Sequence, residues 1–173
     1  GSILAIDHLI QLGHRRIAHI AGPLTTIAGQ ERLDGYRQGL VNAGIEFDAS
    51  LVIEAAEYDS NSGYECMKKL LKLPQRPTAV YVMCDLTALG VIHAINECGL
   101  KVGEDISVVG FDDIELASHI HPTLTTIRQD RRRIGNMLAL TLHRMINHED
   151  VQERTIINTS LVVRQSTKPI CEE

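Results

Sequence analysis

The chain has 173 residues, 44% of them hydrophobic but only 3% aromatic, with no tryptophan and a formal net charge of −5. That length builds one domain with a real core and falls short of two full lobes of average size. The core must be aliphatic, which suits a parallel sheet covered by helices; the acidic balance argues against a nucleic-acid-binding surface in this chain itself.

Helical and strand patterns alternate from the first residues. Ser2 is placed to cap a helix with apolar positions Ile3, Leu4, Leu9, Ile10 and Leu12, which Gly13 closes. Residues 16–21 read as a short buried strand, and Gly22-Pro23 turns the chain. Residues 30–43 return to a helical period with Leu33, Tyr36 and Leu40, stopped by Gly44. Residues 51–55 form a strand. A helix starts at Ser60 or Asn61, carries Tyr64, Met67, Leu70 and Leu71, and stops before Pro74. Residues 79–83 are a strand. Asp85 then caps a helix with Leu86, Leu89, Ile92 and Ile95, ended by Gly99. The strand 106–111 runs out into Asp112 and Asp113, and Asp113 caps a helical turn near 113–118. The strand 124–127 runs out into Arg128-Gln129-Asp130. Residues 130–147 form a long amphipathic helix with Ile134, Leu138, Leu142 and Met145 on one stripe, and residues 155–163 a final strand. Such alternation predicts βαβ units and an α/β fold with a doubly wound parallel sheet.

Several chemistries are disfavoured. No apolar run is long enough to span a bilayer, and Asp7 and His8 break any apolar signal core near the start. The four cysteines, Cys66, Cys84, Cys98 and Cys171, form no Cys-x-x-Cys and read as small apolar fillers in a reducing compartment. His119 and His121 are the closest histidine pair, but nothing at recognisable spacing completes a metal site. No P-loop, dinucleotide fingerprint or nucleophile elbow occurs, so no catalytic residue, metal or cofactor is expected. The one basic run, Arg131-Arg132-Arg133, reads as a solvated helix face.

Two strand exits carry the most information. The words DISVVGFDD at 105–113 and LTTIRQ at 124–129 occur in order. With HLIQLGHRRIAHIAGPL at 8–24, ERLDGYRQGLVNAGI at 31–45, RPTAVYVMCDLTALG at 76–90 and SLVVRQST at 160–167, they span essentially the whole chain. Together they resemble the effector-binding core of the lactose-repressor (LacI/GalR) family of bacterial transcription regulators. The resemblance implies a periplasmic-binding-protein-like (type I) C-terminal lobe built from 1–127 and 155–169. Residues 128–150 would cross to a first lobe, which this chain does not contain. The family's helix-turn-helix DNA-binding domain and hinge helix also fall outside it. The implied protein is not an enzyme. It is a cytoplasmic, homodimeric repressor whose operator affinity is set by a small effector such as a sugar, sugar phosphate or nucleoside. The alternative is an exported, periplasmic sugar-binding protein of the same architecture.

The resemblance also places the site. Arg32, after the 22–29 loop, would point into the effector cleft, where a guanidinium offers a rigid fork of donors. Asp112, at the strand exit, would accept hydrogen bonds from adjacent hydroxyls or a base amino group. Gln129 sits at the lobe crossover. Tyr58 follows a strand where an aromatic face can cover a sugar or stack on a purine, and Thr26 lies in the cleft loop as a secondary contact. Cys84 departs from the family, which commonly has asparagine there, and implies a more apolar effector edge. Leu89, Ile92, His93 and Ile120 would form the dimer surface.

Overall fold

The computed structural model describes residues 1–170; Cys171 lies outside the described residues. Helices and strands alternate as α1 (Ser2–Gln11), β1 (Ile17–Ala21), α2 (Ile27–Asn42), β2 (Val52–Glu54), α3 (Ser60–Leu71), β3 (Ala79–Val82), α4 (Asp85–Glu97), β4 (Ser107–Asp112), β5 (Thr125–Arg128), α5 (Arg131–Ile146) and β6 (Ser160–Val162). The strands form one sheet in the order β2-β1-β3-β4-β5-β6. Strands β1 to β5 are mutually parallel, and β6 runs antiparallel along β5.

The central strands β1, β3 and β4 are buried on both faces, which is why they are largely apolar runs. In β1 and β3 every residue is buried. The pleat sends Ala18, Ile20, Val80 and Val82 toward α3 and α4, where they meet Met67, Leu70, Val91 and Ile95. It sends Ile17, Ala79 and Tyr81 the other way, onto Ile6 and Leu9 of α1 and Leu33, Tyr36 and Leu40 of α2. One core is aliphatic and the other gathers Tyr36, Tyr81 and Phe111 among its aliphatic side chains, and the two sandwich a mostly parallel sheet.

Local expectations were corrected where a tertiary partner outbid them. Ser2 is not the cap of α1; Gly1 holds that position, and Ser2 Oγ lies 2.7 Å from the Tyr81 hydroxyl. The buried side of α1 is Ala5, Ile6 and Leu9, whereas Ile3 and Leu4 are 37% and 41% exposed. Helix α2 begins three residues earlier than its apolar period implies, because the Thr26 side chain accepts from the Gly29 N–H and caps it. Asp85 is the first residue of α4 rather than its cap, and Cys84 precedes it without a capping bond. Asp113 does not cap the short 3₁₀ turn Glu115–Ser118, whose preceding residue Ile114 gives no side-chain bond. The last strand is only Ser160–Val162, whose register covers Thr126 to Arg128 of β5. Helix α5 has Asp130 as its cap and buries none of its residues. Leu138, Leu142 and Met145 on its apolar stripe are all more than half exposed.

Candidate functional site

In an open α/β sheet, ligands bind outside the carboxyl ends of the strands, where the strand order reverses. Here that reversal falls between β1 and β3. The parallel strands deliver a row of residues along this edge: Tyr58 beyond β2, Gly22 after β1, Cys84 after β3, Asp112 at the end of β4 and Gln129 after β5. Helix α2 starts over the same edge and contributes Thr26 at its cap and Arg32 in its second turn.

The centre of the row is a charged cluster. Arg32 lies 3.7 Å from Asp112 Oδ1, with only 16% of its side chain exposed, and its guanidinium stacks 4.2 Å over the Phe111 ring. Stacking on an aromatic face holds the fork in one orientation. The Gln129 amide donates to the same Asp112 Oδ1 at 2.6 Å. Both partners meet one oxygen, so Asp112 Oδ2 is without a protein donor among the described residues. Burial pushes the Asp112 carboxyl above its ordinary range; Arg32 and Gln129 pull it back without cancelling that effect. Beside the cluster, between the starts of α1 and α2, lies a hollow of about 390 Å³ lined by Ser2, Ala28, Glu31, Arg32, Phe111 and Gln129.

The backbone beneath the cluster is strained. Asp112 and Asp113 have φ of 113° and 53°, in the left-handed region that side chains rarely occupy. Such residues cost roughly 1–3 kcal/mol each and persist where the surroundings over-determine them. The consequence is that adjacent carboxylates face different partners. Asp112 meets Arg32 and Gln129; Asp113 is held by Arg128 Nε at 2.5 Å and Arg164 Nη2 at 2.7 Å. Burial alone would raise the Asp113 carboxyl, but these two guanidiniums hold it below its usual value.

A second group forms at the other end of the row. Thr26 Oγ1 donates to the Pro23 carbonyl at 2.8 Å, accepts from the Gly29 N–H at 3.1 Å, and lies 3.2 Å from the Tyr58 hydroxyl. Tyr58 is 37% exposed and reaches across the end of β1. A Cβ on Gly22 would come within 2.9 Å of both Met83 Sδ and the Tyr58 hydroxyl, so these two side-chain ends reach close over the bare turn. Cys84 is buried between the two groups, its Sγ 3.2 Å from Thr87 Oγ1. The five residues expected at the site therefore fall into two sets, Arg32–Asp112–Gln129 and Thr26–Tyr58.

Sequence reasoning gives Asp85 only the role of a helix cap. It is fully buried and accepts from Thr126 Oγ1 at 2.5 Å and from the Ile114 N–H at 2.9 Å, so it ties α4 to β5 and to the segment after Asp113. Burial lifts its carboxyl to about 6, with Thr126 and Ile114 acting in the opposite direction. Gly110 was the available signal: a Cβ there would sit 2.2 Å from Asp85 Oδ1.

Of the residues expected at a dimer surface, Ile92, on α4, is 7% exposed and belongs to the core cluster it shares with α3. Leu89 and His93 instead line an open hollow of about 450 Å³ between α3 and α4, and Ile120 is partly buried against the core.

A parallel sheet with polar groups along its carboxyl edge defines a ligand-binding lobe, and the comparisons with known proteins agree. The chain belongs to the lactose-repressor (LacI/GalR) family, its residues 6–167 matching the periplasmic binding protein-like domain. It is 38% identical to the HTH-type transcriptional repressor PurR of Mannheimia succiniciproducens over 171 residues, 98% of this chain and 51% of that protein. It is likewise 38% identical to the HTH-type transcriptional regulator CelR of Thermobifida fusca over 96% of this chain and 49% of that protein. The chain thus spans about half the length of these relatives. Among solved structures, it superposes on the lac repressor dimer bound to operator and the anti-inducer ONPF with a TM-score of 0.90 at 37% identity, covering 97% of this chain and 58% of that one. A complex of the regulator CelR with cellobiose matches at 0.89 and 38% identity, covering 96% and 51%. These relatives are repressors and regulators, not enzymes.

Proposed function

We propose that this chain is the effector-binding and dimerising portion of a cytoplasmic LacI-type transcriptional repressor. The observation that carries the reading is the Asp112 cluster, a strained carboxylate with one oxygen fixed by Gln129 and Arg32 and the other open beside a hollow. An acceptor next to a positioned guanidinium suits a small molecule with adjacent hydroxyls, such as a sugar, a sugar phosphate or a nucleoside. Tyr58 and Thr26 would meet its far end, and the buried thiol of Cys84 would give a less polar wall between. The similarity to a CelR–cellobiose complex supports a sugar among these classes.

The lobe comprises residues 1–127 and 155–169, and residues 128–150 cross to a first lobe. The wholly unburied α5 fits that assignment. Effector held between the lobes would shift their relative orientation and so the spacing of paired DNA-reading heads, which is a coupling of two binding equilibria. Operator contact belongs to a helix-turn-helix domain outside this chain, whose own net charge is −5. The homodimer would use α4 and the loop before Pro122, with Leu89, Ile92, His93 and Ile120 in a self-complementary patch about a twofold axis.

A thermal-shift screen of sugars, sugar phosphates and nucleosides against the protein carrying both lobes will identify the effector. Calorimetry with Arg32→Ala and Asp112→Asn then tests the site. Each variant loses a charged hydrogen bond in a closed cleft, worth about 1.5–3 kcal/mol, and so binds roughly ten- to a hundredfold more weakly. Unchanged affinity in both variants contradicts the placement of the site.

A further inference from the structure

The basic run at 131–133 finds its use where β5 passes into α5. Three arginines bond Asp113 there, and Arg132 lines the hollow beside it. Arg128 gives its Nε and Arg164 its Nη2 to the carboxylate, and Arg131 Nη2 donates to the Asp113 carbonyl at 2.8 Å. Arg164 is further committed, with Nη1 on the Leu124 carbonyl at 2.7 Å. The other three are not saturated. Among the described residues, Arg128 has no partner on either Nη, Arg131 keeps its Nε and one Nη, and Arg132 keeps its whole fork. All three line an open hollow of about 510 Å³ together with Asn158 and Ser160. The other carboxylate on its wall, Asp130, has one oxygen on the Arg133 N–H as the helix cap. On this wall three guanidiniums, those of Arg128, Arg131 and Arg132, face two carboxylates, which leaves excess positive charge toward solvent. The hollow also sits at the N-terminal, positive end of the 16-residue α5.

We infer that this hollow is a binding site for a phosphate dianion, separate from the Arg32–Asp112 cleft. The geometry is that of several partly free forks converging on a concave surface, which matches a tetrahedral oxyanion with oxygens to share. Asn158 and Ser160 add neutral hydrogen-bonding groups from the far wall. Gln129 lines both hollows and donates to Asp112, so an anion here would brace the point at which the chain leaves the lobe. The site shares Gln129 with the effector cluster but uses none of Arg32, Asp112, Thr26 or Tyr58, so phosphate binding here can be read separately from effector binding. The same chemistry has two sources, free phosphate or the phosphate of an ester whose remainder reaches the Arg32 cleft.

The test is amide NMR of the 173-residue chain at constant ionic strength, titrated in turn with inorganic phosphate, ribose 5-phosphate and ribose. Inorganic phosphate should give saturable shifts at 128–133 and 158–160. The Arg132→Glu variant should weaken this by about tenfold or more, since a charged hydrogen-bond partner is replaced by a repelling one. Arg132 makes no side-chain bond within the described residues, so the variant should leave amide shifts elsewhere in place. If ribose 5-phosphate also shifts amides around Arg32 and ribose does not, a phosphate ester is the occupant. Shifts at the arginine hollow alone point to free phosphate. Unsaturable shifts scattered over the surface, or saturable ones that Arg132→Glu leaves intact, overturn the inference.

Discussion

Replacing Asp85 by asparagine should help the fold more at neutral pH than in mild acid. The side chain is fully buried between α4, β4 and β5, and burial lifts its carboxyl from 3.8 to about 6. A carboxyl whose folded value lies above its unfolded one is better tolerated protonated. The fold is therefore most favoured by this group below about pH 3.8, and loses that advantage as pH rises through about 6. At ~1.36 kcal/mol per pH unit, the ionised side chain costs the folded state about 3 kcal/mol above that window. Asparagine is isosteric and uncharged. Its carbonyl can accept from the Ile114 N–H while its amide donates to Thr126, whose hydroxyl is free to rotate. Urea unfolding of both proteins at about pH 5 and about pH 7.5 isolates the effect, because the histidine contributions cancel in the difference. The stability difference, mutant minus wild type, should grow by roughly 1.5 kcal/mol between the two conditions. A difference that stays constant with pH refutes the reasoning. Asp85→Ala is the contrasting variant: it strands the Thr126 hydroxyl and the Ile114 N–H in the core and should be destabilising at both values, by about 2–5 kcal/mol.

Three further outcomes are expected. His19 is fully buried between Tyr36 and Tyr81, with ring centroids 5.1 and 4.7 Å away, and burial lowers it to about 4. It is neutral in the fold, so its contribution is present above about pH 6.5 and falls away toward pH 4; His19→Phe should make acid unfolding shallower, and an unaltered acid slope by circular dichroism would contradict this. Gly90→Ala drives a Cβ to 1.7 Å from the Ser60 carbonyl, and Gly63→Ala one to 2.1 Å from that of Thr87. Both obstacles are backbone, so α3 and α4 must part, and each variant should lose about 1–3 kcal/mol or more in denaturant titration. Leu89→Asp should convert a dimer to a monomer in sedimentation with little loss of fold, as Leu89 lies on the rim of the α3–α4 hollow; a wild-type monomer at high micromolar concentration would remove the basis for this.

The alternation of elements was legible because each strand is an apolar run and each helix a periodic one, bounded by glycine at 13, 44 and 99 with positive φ. The cleft residues were legible through the resemblance, since Arg32, Asp112 and Gln129 sit in its most distinctive words. What could not be read were side chains whose partners come from distant strands. Asp85 and Asp113 look like helix caps from their neighbours, and local propensity favours that role. Their partners lie far away in sequence, Thr126 for one and Arg128 and Arg164 for the other. Ser2 was misread for the same reason, its partner Tyr81 being 79 residues away. On α1 the exposed Ile3 and Leu4 resemble core positions until the register of the helix against α2 is known. Gly39 sets that register by admitting Ile6, whose side chain a Cβ would meet at 2.7 Å.

The central claim is that a small polar effector binds along the carboxyl edge of the sheet, on the Arg32–Asp112–Gln129 cluster. Amide shift mapping of the 173-residue chain, with the effector found in the thermal-shift screen, tests it most directly. The account predicts saturable shifts concentrated at 22–32, 58, 84, 111–112 and 129, diminished in Asp112→Asn. Shifts confined to the opposite edge of the sheet, around Gly13, Thr78 and Lys101, would contradict it.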